Sequence, residues 1–123
     1  MLLTSLRILG MPEIEIASGE TIIDEGKPGG KVMVLIEGTV EVFKSGEKVA
    51  EIDKPGNLLG ETAMILGQNY GATVKTKDDC KFFEINNIYA FLRDNPDEAL
   101  EVMKILCRRI ESLNKQLTEA LNK

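Results

Sequence analysis

A chain with no histidine must do its chemistry with carboxylates, thiols, hydroxyls, amines and backbone, and this sequence contains none. That absence removes Ser-His-Asp and Cys-His nucleophilic catalysis, His-ligated zinc and most general-base chemistry near neutral pH. The stretch with most chemical potential is Leu59-Gly60-Glu61-Thr62-Ala63-Met64. Gly60 permits close approach of a backbone. The helical turns after it would expose free N–H groups at their positive end, which favours an anion. Glu61 leads that segment, where an acid also complements the helix dipole. The two cysteines, Cys80 and Cys107, lie 27 residues apart without a CxxC pattern and read as reduced core thiols. No catalytic residue and no metal site is expected.

The 123 residues suit one domain spanning 1–123, long enough to bury a core without disulfides or metals. Fifteen Lys and Arg against 20 Asp and Glu leave a net charge of −5. Nucleic-acid phosphates would repel such a surface, so no nucleic-acid partner is expected. The apolar start, Met1 to Leu9, is interrupted by Arg7 and is too short to cross a membrane. It reads as a short amphipathic helix packed on the domain, in a cytoplasmic protein with no membrane partner.

The elements that must position Gly60 and Glu61 are mostly strands. Glu13-Ile14-Glu15-Ile16 alternates with the period of a half-buried strand, and Thr21 to Asp24 is a second short β segment. Lys31 to Glu37 carries Val32, Val34 and Ile36 on one face and Met33 and Leu35 on the other, as in a central strand. Thr39 to Phe43 pairs through a Lys44-Ser45-Gly46-Glu47 hairpin with Val49 to Ile52. After a Lys54-Pro55-Gly56-Asn57 turn, Glu61 to Leu66 is a short helix, and 72–76 and 81–85 are strands. Asn86-Asn87 can cap a short helix over 87–94, and Asn95-Pro96-Asp97-Glu98 starts a long helix over 96–122 with Asn95 as its N-cap. The fold class is therefore α+β: an antiparallel β roll of jelly-roll or double-stranded β-helix type over 13–86. An N-terminal helical segment (1–12), the short helix after Gly60 and a long C-terminal helix complete it.

The runs Asp24-Glu25-Gly26 and Val34-Leu35-Ile36-Glu37-Gly38-Thr39-Val40-Glu41-Val42 resemble the cyclic nucleotide-binding domain family of catabolite activator proteins and protein kinase A regulatory subunits. The resemblance is carried further by the family's phosphate-binding cassette, roughly F-G-E-x-A-L, a spacer, then P-R-x-A-T-V. Here, within 59–74, it reads Leu59-Gly60-Glu61-Thr62-Ala63-Met64 and Asn69-Tyr70-Gly71-Ala72-Thr73-Val74. The resemblance implies a cyclic nucleotide pocket made by Gly60, Glu61, Thr62, Ala63, Tyr70, Gly71, Ala72 and Thr73, with Glu61 accepting the ribose 2′-hydroxyl. It also places Leu113 and Asn114 where the family caps the base, leaving Asn114 to bond a purine edge. One departure weakens the pocket. Tyr70 stands where the family has its phosphate-binding arginine, offering one uncharged hydroxyl for a guanidinium fork. Asn69 also replaces the family's proline, and Gly71 offers no hydroxyl. Lys75 and Lys77 alternate outward and do not replace the arginine. Cyclic AMP or cyclic GMP is thus expected to bind weakly or not at all, and Tyr70→Arg to restore affinity.

The long helix carries a seam at alternating spacings of three and four, Met103, Leu106, Ile110, Leu113 and Leu117, with Leu121 extending the stripe. Its first half adds Leu100, Val102 and Ile105, a wide apolar surface for docking on the roll. The narrow second half suits a two-stranded coiled coil, either in a homodimer or with a partner protein's helix; the alternative is a solitary amphipathic helix folded back on its own domain. An activator would continue past Lys123 into a DNA-reading domain, so a transcription factor is disfavoured. A metal-dependent enzyme on a β roll would need clustered histidines. The expectation is a non-enzymatic regulatory or interaction module with weakened or lost nucleotide binding, acting through protein contacts. The alternative is a working cyclic AMP or cyclic GMP sensor.

Overall fold

The computed structural model describes residues 2–122; Met1, at the head of the expected N-terminal segment, and Lys123 lie outside the described residues. Helix α1 (Leu2–Ile8) precedes strands β1 (Glu13–Ile16), β2 (Thr21–Ile23), β3 (Val32–Glu37), β4 (Val40–Lys44), β5 (Glu47–Ile52) and β6 (Leu58–Leu59). Helix α2 (Glu61–Leu66), strands β7 (Thr73–Thr76) and β8 (Cys80–Ile85), and helices α3 (Ile88–Asp94) and α4 (Pro96–Leu121) follow. The strands form two antiparallel four-stranded sheets, ordered β1-β8-β3-β6 and β2-β7-β4-β5.

Strand β3 explains the layering. Its side chains alternate between two faces, and both are covered. Met33 and Leu35 enter the core between the sheets with Phe82, Val40, Val74 and Ile23. Val32 and Val34 turn the other way, onto Leu6, Phe83, Ile85, Ile88, Phe91 and Val102, where α1, α3 and α4 cover the sheet. Strand β6 is an element the sequence reading lacks. Two residues are too few to show a period, yet Leu59 and Leu58 pair with Met33 and Val34 and so fix where α2 begins.

Two glycines are required by geometry. Gly38 has φ 102°, and a Cβ there would lie 2.6 Å from Cys80 Sγ and 2.7 Å from the Asp79 carbonyl oxygen. Gly60, the N-cap of α2, has φ 82°, with a Cβ position 3.0 Å from both Ile23 Cδ1 and Tyr70 Cε1. The chain can turn from β6 into α2 between two core side chains only because nothing projects from residue 60.

Helix α4 docks more narrowly than its composition implies. Val102 is buried and Ile105 and Leu106 are half-buried, a stripe at spacings of three and four. Leu100 and Met103, expected on the docked or seam faces, are exposed. Every residue from Ile110 to Asn122 is exposed. Helix α3 is capped as expected, the Asn87 side chain accepting from the Ala90 N–H at 3.0 Å. Asn95 differs from expectation: its amide donates back to the Phe91 carbonyl at 2.9 Å, closing α3, and makes no side-chain cap on α4. Pro96 and the first-turn acids Asp97 and Glu98 set the start of α4. Cys107 is exposed rather than a core thiol, whereas Cys80 is buried.

Candidate functional site

A cavity of about 800 Å³ lies between the second sheet, β6, α2 and the middle of α4. Seven residues of the cassette reading line it: Gly60, Glu61, Thr62, Ala63, Tyr70, Gly71 and Ala72. Two expected residues do not. Thr73 turns its hydroxyl to the Glu25 N–H at 3.0 Å and ties β7 to the loop after β2. Asn114 lies outside the lining, exposed on α4, because the helical rotation that docks Val102 turns residue 114 away. From α4 the cavity instead receives Arg109, Ser112, Leu113 and Gln116. Lys75 and Lys77 point away as expected: Lys75 Nζ sits 5.3 Å from the centroid of the Phe43 ring, and Lys77 pairs with Glu51 at 3.1 Å.

The Tyr70 hydroxyl is committed to backbone groups of the same chain. The residue is 8% exposed. Its hydroxyl donates to the Lys31 carbonyl at 2.8 Å and accepts from the Gly30 and Lys31 N–H groups, each at 3.0 Å. One donor and two acceptor positions are all that a phenol has, and all three are occupied. The Tyr70 backbone joins the same strut, its N–H donating to the Lys27 carbonyl and its carbonyl accepting from the Gly26 N–H, both at 2.9 Å. The residue pins the 26–31 loop to the cassette and leaves only its ring facing the cavity.

Glu61 is buried, and its carboxylate accepts from Arg109 Nη1. Arg109 Nη2 donates to the Leu58 carbonyl at 2.6 Å and reaches the Asn57 side-chain oxygen at 3.5 Å. The ribose-binding carboxylate of the resemblance is thus neutralised by a cation of the same chain. Removing one partner of such a pair strands a buried charge, which is far costlier than the pair's net worth. Sequence reasoning passed over Arg109, because the helix was read for its apolar stripe. The signal was present: Ile105, Arg109 and Leu113 recur every four residues, which puts the cation on the docked face.

This arrangement is a β roll whose cassette helix and C-terminal helix are joined by an internal ion pair. The family model described as "Cyclic nucleotide-binding domain" matches residues 13–92. The chain belongs to the cyclic nucleotide-binding domain family. Among solved structures, the Thermus thermophilus catabolite activator protein aligns with a TM-score of 0.76 at 20% identity, over 94% of this chain and 57% of that one. A transcriptional regulator from Thermotoga maritima aligns with a TM-score of 0.77 at 20% identity, over the whole of both chains. Patatin-like phospholipase domain-containing protein 7 of Rattus norvegicus is 23% identical over 118 residues, covering 89% of this chain and 9% of that protein. The chain therefore spans about a tenth of the length of the curated relatives it matches. Among the described residues, no helix of this cyclic nucleotide-binding domain is long and apolar enough to cross a membrane.

Proposed function

We propose that this cyclic nucleotide-binding domain is a non-enzymatic regulatory module that has lost, or nearly lost, nucleotide binding and acts through protein contacts made by α4. The saturated Tyr70 hydroxyl carries this reading. A phosphodiester buried at the cassette needs a charge-assisted partner, and such bonds are worth ~1.5–3 kcal/mol each. Tyr70 is uncharged and already fully bonded to the 30–31 backbone. Arg109 cannot substitute without leaving Glu61 buried and unpaired. The exposed seam supplies the alternative mode of action: Ile110, Leu113, Leu117 and Leu121 are all more than half exposed on a helix that continues beyond the roll. A homodimer through α4 covers them with the commonest oligomer symmetry. Both cysteines are free, which supports a cytoplasmic setting.

Isothermal titration of the intact chain with cyclic AMP and cyclic GMP tests the loss of nucleotide binding. No measurable heat at micromolar protein is the expected result. A sub-micromolar affinity for either nucleotide would overturn the reading and establish a sensor.

A further inference from the structure

We propose that the cavity between the second sheet and α4 binds an uncharged amphipathic small molecule, a hydrocarbon body with one hydroxyl or amide end. This inference rests on the reading that the cassette no longer takes a phosphodiester, and it names what the remaining space accepts. The volume is not vestigial. About 800 Å³ lies within the range that natural small-molecule sites occupy. Its walls are aliphatic: Ile23, Val42, Ile52, Leu59, Val74 and Leu113 face it from both sheets and from α4.

The charges around the cavity are balanced and mostly committed. Glu61 is paired with Arg109, and Glu51 with Lys48 and Lys77. Lys44 also lines the cavity, from the exposed end of β4. An anionic ligand would have to draw Arg109 from Glu61 or stay at the rim with Lys44. A neutral ligand leaves every pair intact and exchanges water for apolar wall. Polar recognition falls to uncharged groups, Ser112 and Gln116 of α4 with Thr62 of α2, which can bond one hydroxyl or amide. Because Ser112, Leu113 and Gln116 belong to the helix that carries the exposed seam, a molecule held there would touch the element through which the module makes its contacts.

The test uses N-phenyl-1-naphthylamine, a neutral fluorophore that brightens in apolar surroundings, titrated into the intact chain. The inference expects saturable binding of one probe per chain, displaced by 1-decanol and untouched by millimolar cyclic AMP. Ala50→Trp, on the exposed edge strand β5, fills the cavity with little risk to folding and should weaken the probe by about tenfold or more. Val49→Trp, an equally large side chain on the same strand but outside the cavity lining, should leave it unchanged. Absent binding, or binding lost in Val49→Trp and kept in Ala50→Trp, overturns the inference and leaves the proposed function standing. Stronger displacement by decanoate than by decanol overturns the ligand's neutrality. Displacement by cyclic AMP overturns both the inference and the loss of nucleotide binding.

Discussion

Tyr70 shows how one residue can be structural where a family uses its counterpart for binding. Its hydroxyl satisfies two backbone N–H groups of the 30–31 loop that would otherwise be left without a partner. Tyr70→Phe is therefore expected to cost about 1–3 kcal/mol, read as a lower denaturation midpoint with unchanged slope. Tyr70→Arg, which the cassette alignment alone would favour as a repair, should lose the strut as well and gain no affinity for cyclic AMP by titration calorimetry. Recovery of micromolar binding in that variant would show that the cassette had kept its shape. Cys80 gives a pH prediction. Burial, with Asp78 beside it, raises the thiol from 9.0 to about 11. The folded state thus holds the proton more tightly than the unfolded chain does. The stabilisation is fully present below pH 9 and is lost as pH rises from 9 through 11. At pH 8 a maleimide should label Cys107 alone in the native protein and both cysteines in denaturant, counted by mass spectrometry.

At the scale of elements, the tightest constraint is the β3–β4 turn. Gly38→Ala would force a side chain into the left-handed region and against Cys80 Sγ and the Asp79 carbonyl. A loss of about 3 kcal/mol is expected, seen as a fall in Tm, whereas Gly30→Ala, where a Cβ meets nothing within 4 Å, should be nearly silent. The sheets were legible because their signals are local. Alternation places Val32 and Val34 opposite Met33 and Leu35, and glycine turns mark the strand ends. Strand β6 was not legible, since its two residues are defined only by pairing with β3. Of the site, the cassette could be read as residues on a motif, but the fate of each side chain depended on distant partners. Nothing near Tyr70 in sequence announces that it bonds Gly30 and Lys31, some 40 residues away. Asn95 failed for a nearer reason: one amide flanked by two helices can serve either, and the Phe91 carbonyl claimed it.

For the whole molecule, the governing fact is that α4 is longer than the surface it docks on. Its 26 residues extend about 39 Å at ~1.5 Å each, yet the docked stripe ends near Arg109. A lone helical tail of a dozen residues is marginal in water without packing. Along that tail Ile110, Leu117 and Leu121 lie to one side of the docked stripe, with Leu113 between them and the cavity. Leaving these four in water forgoes up to ~1.5–3 kcal/mol each relative to burial, so pairing two tails both covers them and holds the helix. The chain is expected to be a dimer by multi-angle light scattering at tens of micromolar. Leu117→Glu is the cleaner disruption, because Leu113 also lines the cavity and a charge there would alter the cavity and the seam at once. The variant should run as a folded monomer, with lower helix content by circular dichroism as the tail frays and an unchanged β signal. A native chain that is already monomeric at that concentration, or a Leu117→Glu variant that remains dimeric, would remove the homodimer through α4 and leave the seam to the helix of another protein.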